Sequence, residues 1–366
     1  MTMASFFKQL KDKVFRKRLQ YAVGYQLPGE MNRHDMVDLI GQYRKNISEV
    51  FFAMPGDASG RVPVGSRNGM AMDAANERLF ADLDRLNAMG LPGVILFNSS
   101  CYGSSYGMSE LLAHVRQSIE EAAKHIRLRA ATVISLPIAA TIKASFPEIK
   151  VRSSINMHIG TIRQMELSSN YFDGFYLNRD YNRDLDHIHA VREWCNEHGK
   201  SLHMLANSGC IYQCPHHHYH ENIVAHIDEI VSKESAYKGT LAPCFRMLKD
   251  PSVQYWVLRN TWIRPEDIRH YVNLFDTIKL ATRESSEPEF ILLAYTMEKW
   301  TANLLDILEP GHANVDGMPF IRNARFPEDW FEHTTHCGHH CDTCNYCKTV
   351  FEKVVKKPQE TASLIG

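Results

Sequence analysis

The segment Leu202-His203-Met204-Leu205-Ala206-Asn207 runs directly into Ser208-Gly209-Cys210. The run Leu202 to Ala206 is short and apolar enough for a buried strand, and the small polar turn behind it ends that strand. Further along the same turn the chain reads Cys210-Ile211-Tyr212-Gln213-Cys214-Pro215-His216-His217-His218-Tyr219-His220. Two cysteines four positions apart on one turn direct both sulfurs to the same side, toward one metal ion or one edge of an iron–sulfur cube. The plainer reading is two free cysteines beside a surface run of histidines.

Seven further segments repeat this strand-then-turn pattern. They are Ala22 to Leu27, Glu49 to Met54, Gly93 to Asn98, Ala130 to Ser135, Lys150 to Asn156, Gly174 to Asn178 and Thr277 to Thr282. Amphipathic stretches lie between them, among them Asp35 to Tyr43, Met72 to Met89, Ser109 to His125, Gly160 to Ser168 and Leu185 to His198, each bounded by Gly, Pro, Asn or Asp. Eight βα units predict an α/β fold, a (β/α)8 TIM-type barrel, with a doubly wound open sheet as the alternative. Pro265, with Glu266 and Asp267 behind it, predicts a helix start before the last strand, and Glu289 to Leu305 predicts a helix after it.

In 366 residues, 44% hydrophobic and 23% charged, there is enough apolar material for a large core. The organisation expected is a basic amphipathic N-terminal helix over residues 1–20, a barrel over 21–310 and a Cys-rich extension over 311–366. The N-terminal helix packs on its own domain or docks on a membrane surface or a protein partner. A net charge of -1 argues against a general grip on nucleic-acid backbones. No apolar run has membrane-spanning length and no signal-peptide pattern opens the chain, so a cytoplasmic protein is expected. Nine cysteines clustered in the middle and at the end then point to metal or cluster ligation rather than disulfides.

Barrel chemistry gathers at the carboxyl ends of strands, and here those ends carry Gln26, Asn98, Ser135, Asn156, Asn178, Arg179, Asn207, Lys279 and Arg283. Some of the asparagines are expected to cap helices or bind loop backbone. Lys279 and Arg283 bind an anionic substrate or pair with nearby carboxylates. Cys101, Cys210, Cys214 and Cys244 all follow inferred strands and so converge on the mouth, whereas Cys195 lies inside a helix and packs. His216 and His220 are candidates to line the site, ligate or move protons, against a solvated loop as the plain reading.

Cys337, Cys341, Cys344 and Cys347 form the densest cysteine block, suited equally to a 4Fe-4S cluster or to zinc. The first three reproduce the spacing of radical S-adenosylmethionine enzymes, but the block follows the barrel and has a fourth cysteine able to close the site. Two other patterns do not carry chemistry. Gly103-Ser104-Ser105-Tyr106-Gly107 matches a nucleophile elbow but lies too far past its strand, and His220-Glu221 with His226 has the wrong spacing for a metalloprotease helix.

The stretch Asn207 to His220 resembles the collagenase-like peptidase family of unknown catalytic type, the U-thirty-two family. The likeness extends to Lys150 to Asn156, to Tyr176-Leu177-Asn178-Arg179-Asp180, to Ile263-Arg264-Pro265-Glu266-Asp267 and to Ile278 through Arg283, covering roughly residues 90 to 300. It implies a barrel with a 4Fe-4S cluster at its mouth, with Cys210, Cys214 and Cys244 matching the later family cysteines and Cys101 a candidate for an early one. It also implies oxygen-independent hydroxylation of a small or RNA-borne substrate. The C-terminal cysteine block departs from that pattern. Three functions follow as candidates: a cluster-dependent oxidoreductase of hydroxylase type, a peptidase as the family name suggests, and a non-catalytic scaffold or electron-transfer protein.

Overall fold

The computed structural model describes residues 19–29, 34–61, 64, 69–103, 107–227, 230 and 242–355. The expected basic helix, apart from its last two positions, lies outside the described residues, as do Ser105 and the tail from residue 356 onward. Eight strands form one closed parallel barrel in sequence order. They are β1 (Tyr21–Gly24), β2 (Ile47–Phe52), β3 (Gly93–Phe97), β4 (Leu128–Val133), β5 (Lys150–Ser153), β6 (Gly174–Tyr176), β7 (Ser201–Leu205) and β8 (Thr277–Leu280). Pairing of Tyr21 with Ile278 and Ala22 with Lys279 closes the ring.

The helices are α1 (Met36–Gln42), α2 (Met72–Ala88), α3 (Met108–Ala123), α4 (Leu136–Ser145), α5 (Ile162–Ser168), α6 (Leu185–Glu197), α7 (His217–Ala225), α8 (Pro243–Met247), α9 (Pro288–Met297), α10 (Trp330–Thr335) and α11 (Tyr346–Val354). Helix α2 buries Ala75, Leu79, Leu83 and Leu86, the spacing that puts one stripe against the barrel. Residues 311–355 are not a separate core: Val315, Ile321, Phe326, Trp330, Val350 and Val354 belong to the same buried cluster as the barrel. No helix among the described residues is long and apolar enough to cross a membrane.

Every expected strand forms, but each ends before the last residue expected of it. The side chains of Asn98, Ser135, Asn178 and Asn207, beyond the ladder, serve turns and loops. Ser135, for example, accepts from the Ile138 amide to start α4. Two helix expectations are corrected. Pro265 opens a turn and then a four-residue 3-10 segment (Ile268–Tyr271), because the Glu266 carboxylate is used by the Trp300 amide and Asn323 Nδ2 instead of capping. The helix after β8 ends at Met297, where Glu298 adopts a left-handed backbone (φ 52) and pairs with Arg269; Asn303 then starts a separate 3-10 turn.

Inside the barrel, Glu49 of β2 is fully buried and takes a hydrogen bond from Arg152 Nη2 of β5 at 3.1 Å. A buried charge is tolerated because it is paired. Ala22 of β1 pairs with both Glu49 and Lys279, and Lys279 Nζ sits 3.8 Å from the Phe51 ring centre and 5.3 Å from that of Tyr176.

Candidate functional site

Lys279 and Arg283 point into the barrel mouth, and both are buried. With Arg61, Asn98, Asn156 and Glu309 they enclose a space of only about 30 Å³, about enough for one water. The chain at Ser59–Arg61 closes it from above: the Gly60 amide donates to Asn98 Oδ1 (3.1 Å), Arg283 Nη2 to Ser59 Oγ (3.3 Å) and Arg61 Nε to Glu309 Oε1 (3.0 Å). Burial, helped by Arg283 and Arg61, pushes the Lys279 ammonium down to about 7. Asn156 Nδ2 is buried with no hydrogen-bond partner, an available donor at this point. Asn178 does not line this space; its side chain accepts from the Asp180 amide and caps a 3-10 turn. Asn207 binds loop backbone, taking the Ala281 amide and donating to the Ala281 and Ile307 carbonyls.

Beside the mouth, the β7 loop brings Cys210 and Cys214 to Cys244 at the start of α8. The loop is fixed by backbone contact. Gly209 donates to the Glu309 carbonyl at 3.0 Å, and a Cβ at Gly209 would stand 2.1 Å from the Pro310 carbonyl oxygen. Only glycine fits there. Asn260 holds the turn from both sides, donating to the Gly209 carbonyl and accepting from the Tyr212 amide. Burial, with Cys210 and Cys214 adding to it, pushes the Cys244 thiol up to about 12, and burial likewise raises Cys214. Thiols packed together resist ionisation until a cation joins them. Cys101 stands at the end of β3 with its sulfur accepting from the Gly103 amide of its own loop, and it does not line the cavity shared by Cys214 and Cys244.

The terminal block converges as well. Cys337, Cys341, Cys344 and Cys347 line one small space with Arg259, His333 and His340, between α10 and α11. Behind it lies Arg183, 4% exposed, its guanidinium over the Trp262 ring at 4.4 Å and bonded to the Trp262 and Leu258 carbonyls. Among the described residues no carboxylate comes within ion-pair distance of it; burial lowers its pKa, opposed first by Cys347, then by Tyr271, Asp267 and Cys337. Cys347 is itself pushed up to about 11 by burial.

One member or more of each thiol set lines a cavity of about 750 Å³. Cys214, Cys244 and His216 line one side, and Cys341 and His339 the other. The ring of Tyr212 stacks on His339 at 4.4 Å and ties the β7 loop to the terminal block. The other candidate histidine, His220, is half-buried on α7, and its pKa is lowered first by burial and then by Arg61 and other neighbouring charges. The histidine run is therefore a helix preceded by His216, where a loop was an equal expectation. Cys195 packs in the core, where burial raises its thiol to about 11.

Four charged residues organise this region, and of these only Arg179 stood among the strand-end candidates. Arg179 donates to the Cys210 sulfur, Arg183 backs the terminal block, and Arg61 and Glu309 close the mouth. Arg179, Arg183 and Glu309 are buried and Arg61 half-buried, and an isolated charged residue in sequence carries no mark of that.

Comparison with known proteins follows the same lines. No family model matches the chain. An uncharacterized protease of Methanocaldococcus jannaschii is 29% identical over 187 residues, which is 49% of this chain and 52% of that protein. The chain thus spans about half the length of that curated relative. A solved U32 peptidase structure superposes with a TM-score of 0.50 at 14% identity, covering 72% of this chain and 92% of its own. At that identity it speaks for the fold. In sequence and fold together, the chain resembles the U32 collagenase-like peptidases.

Proposed function

We propose that this protein is an iron–sulfur-dependent oxidoreductase of hydroxylase-like type acting on an organic substrate. The observation that carries the reading is the cavity of about 750 Å³ lined by Cys214 and Cys244 of one cysteine set and by Cys341 of the other. Cys210, Cys214 and Cys244 would hold one 4Fe-4S cluster and Cys337, Cys341, Cys344 and Cys347 another, with zinc the alternative at the terminal block. A cluster supplies one-electron transfer and, where a thiolate is missing, an iron open to substrate. Three cysteines at the mouth leave room for such an iron, with His216 beside them and Cys101 the more distant candidate.

The donor chemistry fits clusters. Arg179 stands at the Cys210 sulfur, and the buried Arg183 has Cys347 foremost among the charges that favour its cation, an arrangement suited to anionic thiolates. Among the described residues no three cysteine sulfurs lie within 4.8 Å of one another. The larger cavity, rather than the closed space around Lys279, has volume for a small or RNA-borne substrate.

The peptidase reading is favoured by the names of the similar proteins. The nearest approach to a triad among the described residues is Asp57, His114 and Ser118. There both partners meet His114 Nε2, at 2.8 and 3.5 Å, where a relay needs opposite ring nitrogens. Anaerobic purification with iron and sulfide analysis tests the proposal. About eight irons per chain are expected, falling by about half in Cys244→Ser and again by half in Cys341→Ser. Stoichiometric zinc without sulfide would overturn it.

A further inference from the structure

We infer that His158, His218 and Glu221 form a binding site for one divalent first-row transition-metal ion, distinct from both cysteine sets. One ligand atom from each lies within 4.8 Å of the other two, and among the described residues this is the one group of three or more His, Cys, Asp or Glu side chains drawn together so closely. His158 Nε2 is 3.2 Å from Glu221 Oε2. Two imidazoles and one carboxylate with positions left open are an ordinary donor set for iron(II), manganese(II), cobalt(II) or zinc.

The fold builds the site from two elements. His218 and Glu221 stand three residues apart on α7, hence on one helix face. His158 comes from the loop after β5, where its backbone is left-handed (φ 52, ψ 32). A non-glycine residue held there costs about 1 kcal/mol or more, and such strain collects at binding sites. The His217 ring stacks on His158 at 5.3 Å and the His218 ring meets it edge-on at 4.8 Å.

Glu221 divides its two oxygens. Oε1 faces Arg179 Nη2 at 3.6 Å, while Oε2 faces His158. Arg179 also donates to Cys210, so the ion would lie one side chain away from the mouth cysteines. The competing account is a salt bridge of His158 and Arg179 with Glu221, and it gives His218 no role. That difference decides the experiment, because His218 is exposed and its loss leaves the fold intact.

The full chain, purified anaerobically with its resident metals and freed of loosely held ions, is titrated with manganese(II) and separately with cobalt(II). Both accept nitrogen and oxygen donors, and manganese has little affinity for thiolates. The wild type is expected to bind one manganese ion showing nitrogen hyperfine coupling in pulsed electron paramagnetic resonance. His218→Ala and Glu221→Gln should each weaken that binding by roughly tenfold or more. The exposed control His189→Ala should leave it unchanged, as should iron and sulfide content in all variants. The inference is overturned if neither ion binds the wild type, or if His218→Ala binds both as the wild type does. Should Glu221→Gln misfold through loss of its pairing with Arg179, His218→Ala alone decides.

Discussion

Arg179 Nη1 donates to the Cys210 sulfur at 3.1 Å. The same guanidinium bonds Asn156 Oδ1 at 3.4 Å and pairs with Glu221 at 3.6 Å, so one buried cation joins the β5, β6 and β7 loops. Arg179 is 2% exposed, and these contacts replace the water lost by its two terminal nitrogens, while its Nε is buried without a partner.

Arg179→Met should therefore act on two observables. Leaving Glu221 with His158 as its remaining partner in a largely buried position should lower stability by about 1–3 kcal/mol. Iron at the Cys210 set should fall while the terminal set keeps its share, read by iron and sulfide analysis after anaerobic purification. Full iron content in a folded Arg179→Met protein would show that the contact at Cys210 does not support a cluster.

Gly209→Ala should destabilise the chain and disturb the same cysteine set. Its Cβ would meet the Pro310 carbonyl oxygen at 2.1 Å, a backbone atom that cannot rotate aside. Relief requires the Cys210 turn to lift off the Glu309–Pro310 backbone, at a cost of about 1–3 kcal/mol. Denaturant unfolding should register the loss, and Gly199→Ala, at a left-handed glycine with open space around it (φ 62), separates backbone strain from this clash.

Lys279 gives a pH dependence with a definite sign. Burial lowers its pKa from 10.5 to about 7 in the folded chain, so between those values the unfolded chain binds the extra proton and stability from this group rises with pH. Below about pH 7 both states are protonated and the full penalty of the buried ammonium applies. Lys279→Met should raise the melting temperature most at pH 6 and progressively less toward pH 10. A gain that is constant across that range would mean that Lys279 keeps an ordinary pKa.

Much of the fold was legible because its causes are local. Eight apolar runs with polar ends, alternating with helical stripes, dictate βα units, since burial of one face acts on neighbouring residues. The spacing of Cys337 to Cys347 is equally local, and those four residues do meet around one space. Asn207 and Asn178 show the limit: strand-end position was readable, but whether an amide faces a ligand or a backbone depends on which loop lies opposite. The tertiary structure alone decided that Arg179 reaches Cys210, that His158 meets Glu221 across 63 residues of sequence, and that Cys214 and Cys341 line one cavity. Those pairings arise only when the barrel closes and its loops are brought over a common mouth, a long-range condition that no residue pattern encodes by itself.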